Sequence, residues 1–304
     1  MSDQRTITPE AKRLHESILY PSVRVRAGKA LGSGTVIYSR PADPDHFPEE
    51  FETLVLTNHH VVDDLIEVKE DWDAIRQLKR YREFRTPAVV EFFEMKHHSR
   101  VVSKNGKEAT IVAWDDKVDL ALLRLESVTR YSYVATLASA DRMERGLYAF
   151  DEVYTVGAAL GEDPVVTHGQ IAQFDRKIEG HPYMMTTAPS VFGNSGGAVY
   201  LAEMCEMIGV PARIAVAGFG SPITHLSYSI PMTTIYKFLE QNCFHYVFDP
   251  SVTSKSCEAE RDRRRKAAES RFEGPRDPNE PKDQPATPYG IGSPTEHDLS
   301  AADA

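Results

Sequence analysis

The chain has 304 residues, of which 41% are hydrophobic and 26% are charged, and its formal net charge is −10 at pH 7. An apolar fraction of this size predicts a packed core, whereas the acidic balance argues against a nucleic-acid-binding protein, which would carry a basic excess. No stretch approaches the roughly 18 consecutive apolar residues of a membrane-spanning helix, so neither nucleic acid nor a membrane is expected as a partner.

The first half of the chain predicts a helix followed by a β unit. Residues 1–19 are predicted as an N-terminal helical extension, because their apolar residues recur at helical spacing. Short β-rich runs broken by glycines then predict a first β unit over 20–130, either a sandwich or a barrel. Within it, Asn105-Gly106 has the composition of a hairpin turn. Apolar residues at helical spacing predict a helical insertion over 71–82.

The second half repeats the pattern of short strands. It predicts a second β unit over 131–249, again a sandwich or a barrel, closed by a C-terminal helix that starts near Met232. Residues 250–304 are first highly charged and then rich in proline, which predicts a disordered tail, with a solvated helix over 258–272. The 71–82 insertion and this tail are the two places where we expect a regulatory partner to bind.

Cysteine usage bears on the cellular compartment. The chain contains only Cys205, Cys243 and Cys257, and an odd, sparse count does not make a disulfide framework. The N-terminal residues are polar and charged and lack the apolar core of a secretory signal. These observations predict a cytoplasmic location.

A serine in a glycine-dense turn is the most specific motif. Ser195 lies between Gly193 and Gly196-Gly197, and these glycines allow a tight turn in which the N–H groups of Gly193 and Ser195 face one point. Acyl transfer needs a nucleophilic oxygen and backbone N–H donors for the developing oxyanion. The same composition is also typical of an ordinary glycine-rich loop.

Two further segments supply the other groups that a serine nucleophile needs. His59 and His60 follow the apolar run Leu54-Val55-Leu56, and an imidazole is the usual base for a serine hydroxyl at neutral pH. Asp119 directly precedes the apolar run 120–123, where a carboxylate can orient that imidazole. Taken singly, such residues are usually surface or turn residues, but together they occur in the order His, Asp, Ser within a two-unit β sequence.

At these residues the chain resembles the trypsin-like serine peptidases, and most of all the bacterial HtrA-type protease domain without its PDZ domain. The resemblance covers about Tyr20 to Asn242 and rests on five matching segments: 32–36, 56–62, 118–122, 193–198 and 228–231. It implies an all-β fold of two antiparallel six-stranded barrels with the active site in the cleft between them.

The resemblance also assigns roles. It implies that His60, not His59, is the base, that Asp119 is the orienting acid, that Ser195 is the nucleophile, and that the Gly193 and Ser195 N–H groups form the oxyanion hole. Digestive trypsins carry an aspartate at the position of Asn194, so activity without removal of a propeptide is expected here. The segment after Asn242 is too short and polar for a PDZ domain.

The same mapping implies a primary substrate pocket. Its base would be Pro189 and its walls Ser190, Val191, Gly220 and Ser227, all of them neutral. Because a substrate charge buried against such walls would be costly, cleavage after small or apolar residues is expected.

The function predicted from the sequence is therefore a serine endopeptidase that cleaves proteins or peptides through an acyl-enzyme intermediate, without a metal or organic cofactor. A catalytically inactive peptidase fold that serves as a binding or scaffold protein is the alternative, because fold alone does not establish activity. An esterase with the same triad is a third possibility.

Overall fold

The computed structural model describes residues 7–43, 47–73, 78–127, 129–218 and 220–271. The remainder of the predicted disordered tail, 272–304, lies outside the described residues. The described chain forms strands β1 to β15 in sequence order: Ser22–Ala27, Ala30–Asp43, Phe47–Thr57, Ile66–Asp73, Leu78–Arg85, Ala88–Lys96, Arg100–Asp115, Leu120–Ser127, Thr136–Leu137, Glu152–Gly157, Val165–Ile178, His181–Thr186, Ala198–Leu201, Glu206–Ala217 and Ser221–Pro231.

The first barrel forms because its strands alternate between apolar and polar residues. In β1, Val23, Val25 and Ala27 are buried in the barrel, whereas Arg24 and Arg26 point outward, as the two-residue period of a strand requires. The strands close in the order β1-β2-β3-β8-β7-β6. The predicted first six-stranded barrel is confirmed.

The second barrel is a ring of strands in the order β13-β10-β11-β12-β15-β14, which β13–β14 pairing closes. The two-residue strand β9 pairs in parallel with β14 outside this ring. Buried Val153, Ile171, Met184, Val199 and Ile208 fill the interior. Both barrels are antiparallel apart from the β9 contact, so the predicted all-β fold class is confirmed.

The helical insertion predicted over 71–82 is wrong. Strands β4 and β5 pair antiparallel from Ile66↔Arg85 to Asp73↔Leu78, forming a two-stranded hairpin that is separate from the barrel sheet. A three-residue apolar spacing over a short window does not distinguish a helix from a strand. Here residues 66–70, which precede the window, pair with residues 81–85.

The turn predicted at Asn105-Gly106 is also wrong. Both residues lie within β7, where they pair with Phe92 and Glu91 of β6. The chain instead reverses at residues 97–99, and His97 and His98 adopt φ values of 50° and 66°. Such values favour Asn and Gly in an isolated turn, but pairing along β6 and β7 determines where the reversal occurs.

Helices pack beside the second barrel, against its strands or against one another. Helix α1, Pro9–Leu14, continues into a π-helical turn at His15–Leu19, which confirms the predicted N-terminal helix. Helix α2 spans Ala140–Arg145 and α3 spans Met232–Gln241. On α3, Ile235, Phe238 and Leu239 are buried against the body.

Helix α4, Ser254–Arg271, occupies the first part of the segment predicted as a disordered tail. Cys257 is buried, and the Arg261 guanidinium donates to the Cys243 carbonyl at 2.6 Å. The helix predicted over 258–272 is therefore present and begins four residues earlier, at Ser254. It is not solvated on every side, because these contacts hold it against the segment after α3. Within the described segments, no helix has the length and apolar character needed to cross a bilayer.

Candidate active site

His60 lies on a short 3-10 turn, His59–Val61, just after β3 ends at Thr57. Val61 and Val62 are buried in the first barrel and anchor the turn, while the His60 side chain stays 45% exposed. The apolar pair after the histidines therefore fixes the backbone and leaves the imidazole free to face solvent.

Asp119 follows a tight turn between β7 and β8. The Asp115 carboxylate builds that turn by accepting from the Lys117 and Val118 N–H groups at 2.9 and 3.2 Å. Asp119 itself adopts φ 55° and is 9% exposed. A left-handed aspartate at low exposure is typical of functional sites, where the surrounding structure holds the less favourable conformation.

The Asp119 carboxylate binds His60 twice. It accepts from the His60 backbone N–H at 3.0 Å and contacts the ring Nδ1 at 2.8 Å. His59 is turned away and stacks on Trp114 with ring centroids 5.0 Å apart. Of the two histidines, His60 is the one that meets Asp119. Its Nε2 makes no hydrogen bond with the described residues and remains available to a nucleophile or substrate.

Asn58 is a residue that sequence reasoning missed. It is completely buried, and its side-chain amide donates to the Asp119 carbonyl at 2.7 Å. The amide thereby connects the turn that carries His60 with the turn that carries Asp119. Its position two residues before His60 is the only signal in the sequence that points to this role.

Two consecutive turns form the segment around Ser195. The Asn194 N–H donates to Val191 O at 3.1 Å, and the Gly197 N–H donates to Asn194 O at 3.0 Å. The third residue of each turn has positive φ: Gly193 at 94° and Gly196 at 85°. Glycine is favoured at such a position of a tight turn because it has no Cβ.

These turns leave two N–H groups unused. Within the described part of the chain, the Gly193 and Ser195 N–H groups donate to no protein acceptor, whereas those of Asn194, Gly196 and Gly197 all do. Phe192 O accepts from the Leu160 N–H at 2.7 Å. In a trans peptide the N–H points opposite to the carbonyl, so this bond turns the Gly193 N–H away from Leu160.

The other donor is oriented in the same manner. Asn194 O, which shares a peptide plane with the Ser195 N–H, accepts from the Gly197 N–H at 3.0 Å. The carbonyls behind both unused donors are therefore held by backbone hydrogen bonds. Two free N–H groups beside a serine hydroxyl are what an oxyanion hole requires.

The Ser195 turn packs against the first barrel. The Ser33 N–H of β2 donates to Ser195 O at 2.8 Å. A Cβ at Gly196 would lie less than 3.0 Å from both Ser33 O and Thr57 Oγ1, so this turn lies directly against the end of β3, two residues before the histidine turn. No hydrogen bond joins the Ser195 hydroxyl to His60 among the described contacts. Such bonds are often long before substrate binds.

The residues assigned to the substrate pocket lie on several elements. Ser190 and Ser227 are buried, Val191 is half-buried and Pro189 is exposed. The Ser190 N–H donates to Thr224 O of β15 at 2.7 Å, which brings the 189–191 segment alongside the strand that carries Ser227. Gly220 lies in the exposed turn between β14 and β15, and its place in the pocket stays a prediction. Among the described side chains, no group of three or more His, Cys, Asp or Glu could hold a metal ion.

A family model described as a trypsin-like peptidase domain matches residues 32–210. This span is more than half of the chain and contains His60, Asp119 and Ser195. The chain belongs to this family.

Two curated relatives agree with the family. The chain is 26% identical over 207 residues to the periplasmic pH-dependent serine endoprotease DegQ of Escherichia coli (strain K12), which covers 67% of this chain and 35% of DegQ. It is 24% identical over 147 residues to a probable periplasmic serine endoprotease DegP-like of Marinomonas sp. (strain MWYL1), which covers 47% of this chain and 29% of that protein. The trypsin-like peptidase chain thus spans about a third of the length of the curated relatives it matches.

Solved structures show the same fold. The HtrA-type protease AlgW with tripeptide has a TM-score of 0.54 at 19% identity and covers 79% of this chain and 64% of its own. The serine endoprotease from Yersinia pestis has a TM-score of 0.53 at 19% identity, with coverage of 78% and 68%. The predicted resemblance to HtrA-type trypsin-like peptidases is confirmed.

The predicted cytoplasmic location is contradicted by these relatives, since both curated proteins are named as periplasmic. The prediction relied on few cysteines and a polar N-terminus. A low cysteine count is compatible with a reducing compartment but does not require one, because a large buried core can hold a domain together without disulfides.

Proposed function

We propose that this trypsin-like peptidase is a serine endopeptidase with His60, Asp119 and Ser195 as its catalytic triad. The observation that carries the proposal is the double contact between the Asp119 carboxylate and His60, at 3.0 Å to the backbone N–H and 2.8 Å to Nδ1. With Nδ1 bound to a carboxylate, the ring is held in the tautomer that presents Nε2 as a base.

Each group in the site has a role in acyl transfer. Ser195 Oγ attacks the scissile carbonyl while His60 Nε2 takes its proton, and Asp119 stabilises the imidazolium that forms. The oxyanion accepts from the Gly193 and Ser195 N–H groups. His60 then protonates the leaving amine, and water repeats the sequence to release the acyl group. The step needs no group from outside the chain apart from substrate and water.

The substrates proposed are proteins or peptides cleaved after small or apolar residues. Support comes from the neutral character of Pro189, Ser190, Val191 and Ser227, since a buried substrate charge would find no counter-charge among them. A peptide-library digest tests this preference. Dominant cleavage after Lys, Arg, Asp or Glu would overturn it and leave the triad proposal intact.

The activity is tested with a fluorophosphonate probe, which reacts with an activated serine. Wild-type protein is expected to be labelled and to digest an unfolded protein substrate, whereas Ser195→Ala is expected to lose both properties. The matched control is Ser221→Ala, which removes an exposed serine hydroxyl at the start of β15 and is expected to keep both. A folded wild-type protein that neither reacts nor cleaves would favour the scaffold alternative.

The choice of histidine has its own matched pair. His60→Ala is expected to lower kcat to background, whereas His59→Ala removes only the stacking on Trp114 and is expected to retain most of it. The reverse result would show that the wrong histidine has been assigned.

A further inference from the structure

Ser33 connects the first barrel to both residues that carry the oxyanion N–H groups. It lies in β2, within Gly32-Ser33-Gly34, and is completely buried. Its hydroxyl donates to Gly193 O at 2.6 Å, and its backbone N–H donates to Ser195 O at 2.8 Å. One residue of the first barrel thus binds the backbone on either side of Asn194 in the second.

The remaining polar groups of Ser33 are also bonded. Its hydroxyl accepts from the Ala158 N–H at 2.7 Å, and its carbonyl accepts from Thr57 Oγ1 at 2.7 Å. Ala158 begins the short turn whose Leu160 N–H holds Phe192 O. The Ser33 hydroxyl therefore bonds both to the segment that contains Gly193 and to the turn at Ala158.

The contact depends on close approach of backbones. A Cβ at Gly157 would lie 2.7 Å from Ser33 Oγ, and one at Gly32 would lie 3.3 Å from Ser195 O. Side chains at 32, 157 or 196 would crowd Ser33, Thr57 or Ser195, so glycine at these positions allows the close approach of the two barrels around Ser33. Gly34 has a different reason, because its Cβ would lie less than 3.0 Å from Val25 and Val55 inside the first barrel.

Gly193 is the residue of the turn that most needs an outside constraint. Glycine has the largest backbone freedom of any residue, and Gly193 sits at φ 94° with no side chain to hold it. The Leu160 N–H fixes the peptide plane before Gly193, and the Ser33 hydroxyl fixes the carbonyl of the plane after it. Donors that are held in place before reaction are the ones that stabilise an oxyanion effectively.

We propose that Ser33 is a positioning residue that holds the Gly193 and Ser195 N–H groups in the geometry of the oxyanion hole. This inference rests on the proposed function. Ser33 does not touch the reacting atoms, so its loss is expected to weaken transition-state stabilisation and to leave substrate binding and the His60–Asp119 pair as they are.

The test compares Ser33→Ala with Ser39→Ala. Ser39 is a buried serine in the same strand; its hydroxyl accepts from the Tyr131 N–H at 2.9 Å and bonds to Thr53 Oγ1 at 2.9 Å, away from the Ser195 turn. Removing an oxyanion donor itself costs about 10²–10³ in kcat. Ser33→Ala is therefore expected to lower kcat by about tenfold to hundredfold with KM within about twofold. Ser39→Ala is expected to stay within about threefold of wild type.

Two readouts separate positioning from general damage. The affinity for a peptide aldehyde, whose adduct carries an oxyanion, is expected to fall in Ser33→Ala by the same factor as kcat/KM. The acid limb of the pH profile of kcat/KM, which reports the imidazole, is expected to stay in place. Equal losses in Ser33→Ala and Ser39→Ala, a shifted acid limb, or an unchanged kcat would each overturn the proposal.

Amide hydrogen exchange decides the matter independently of turnover. In a Ser195→Ala background, Ser33→Ala is expected to speed exchange at the N–H groups of Asn194, Gly196 and Gly197, and Ser39→Ala is not. If wild type shows no Ser195-dependent cleavage, the proposed function fails, and unchanged exchange would then reject the role of Ser33 separately. Should Ser33→Ala not fold, Ser33→Gly takes its place. Loss of folded protein in both variants would overturn positioning in favour of a purely structural role.

Discussion

The two barrels hold their parts of the site by different means. In the first barrel, side chains bind one another and the backbone: the Asp119 carboxylate binds His60, and the Asn58 amide binds Asp119 O. In the second, the Ser195 segment is held by backbone hydrogen bonds in two turns whose third residues are glycines. Activity should therefore be most sensitive to the loss of a side-chain functional group in the first barrel. In the second barrel it should be most sensitive to a Cβ added at a glycine.

The largest effect is expected from removing charge in the first barrel. Asp119→Asn keeps the size of the side chain but favours the wrong tautomer of His60, and kcat is expected to fall about 10⁴-fold with little change in KM. Asp116→Asn alters an exposed residue of the same turn and serves as the control. Steady-state kinetics on a peptide substrate measures both. Comparable activity in the two variants would show that the first barrel does not depend on the Asp119 carboxylate.

The next effect concerns space in the second barrel. Gly196→Ala would place a Cβ against Ser33 O and Thr57 Oγ1 at a residue with φ 85°. We expect kcat to fall by at least about 10²-fold and the free energy of unfolding to fall by about 2–4 kcal/mol. Gly218 also has a positive φ, 52°, but open space around it. Gly218→Ala therefore measures the backbone cost alone, which is expected to be about 1 kcal/mol. Denaturant unfolding and kinetics on both variants distinguish crowding from strain.

A smaller effect is expected from Asn58. Asn58→Ala removes the bond to Asp119 O from a fully buried site, and unfolding is expected to become easier by about 1–3 kcal/mol. We expect kcat to fall because the two turns lose their connection. Asn105→Ala, in an exposed part of β7, should stay within about 0.5 kcal/mol of wild type. Equal changes in both variants would remove Asn58 from the site.

The smallest effect is expected from a buried carboxyl group of the first barrel. Glu52 of β3 is 7% exposed and accepts from the Tyr246 hydroxyl at 2.8 Å. Burial raises its pKa above the usual value, although the Tyr246 hydroxyl and Arg124 oppose the shift. The folded state therefore holds the proton more tightly than the unfolded state. This contribution to stability is present below the unfolded pKa and is lost as pH rises through the folded pKa.

Glu52→Gln is neutral at every pH and should gain in Tm relative to wild type as pH rises from about 4 to 7. Glu126→Gln, at an exposed site on the neighbouring strand, is expected to show no such trend. Thermal melts at several pH values test the difference. A gap that shrinks with rising pH would mean that the charged form of Glu52 is stabilised by folding.

Much of this molecule could be read from its residues. Alternation such as Val23, Val25 and Ala27 against Arg24 and Arg26 predicts a half-buried strand, and the structure has one. The motifs around His60, Asp119 and Ser195 predict a trypsin-like peptidase, and the family match agrees. Whether those three residues act together stays a proposal, and the domain boundaries stay predictions.

The errors share a cause. The helix predicted over 71–82 and the turn predicted at Asn105-Gly106 both rested on short windows, whereas the structure uses strand pairing that reaches outside each window. The start of α4 at Ser254, and its packing on the body, similarly depend on a contact between Arg261 and the Cys243 carbonyl, 18 residues away along the chain. Local patterns carry no information on such partners.

The sequence by itself determined the alternating strands of two β units and the residue types available to a site. These are a serine among glycines, and an imidazole and a carboxylate next to strands. Only the tertiary structure decided that Asn58 connects the turns of His60 and Asp119, that His59 stacks on Trp114, and that Ser33 binds the backbone at Gly193 and Ser195. The reason is physical. Hydrogen bonds between segments some 60 to 160 residues apart depend on how two barrels pack, and each such bond is set by backbone approach that no single segment encodes.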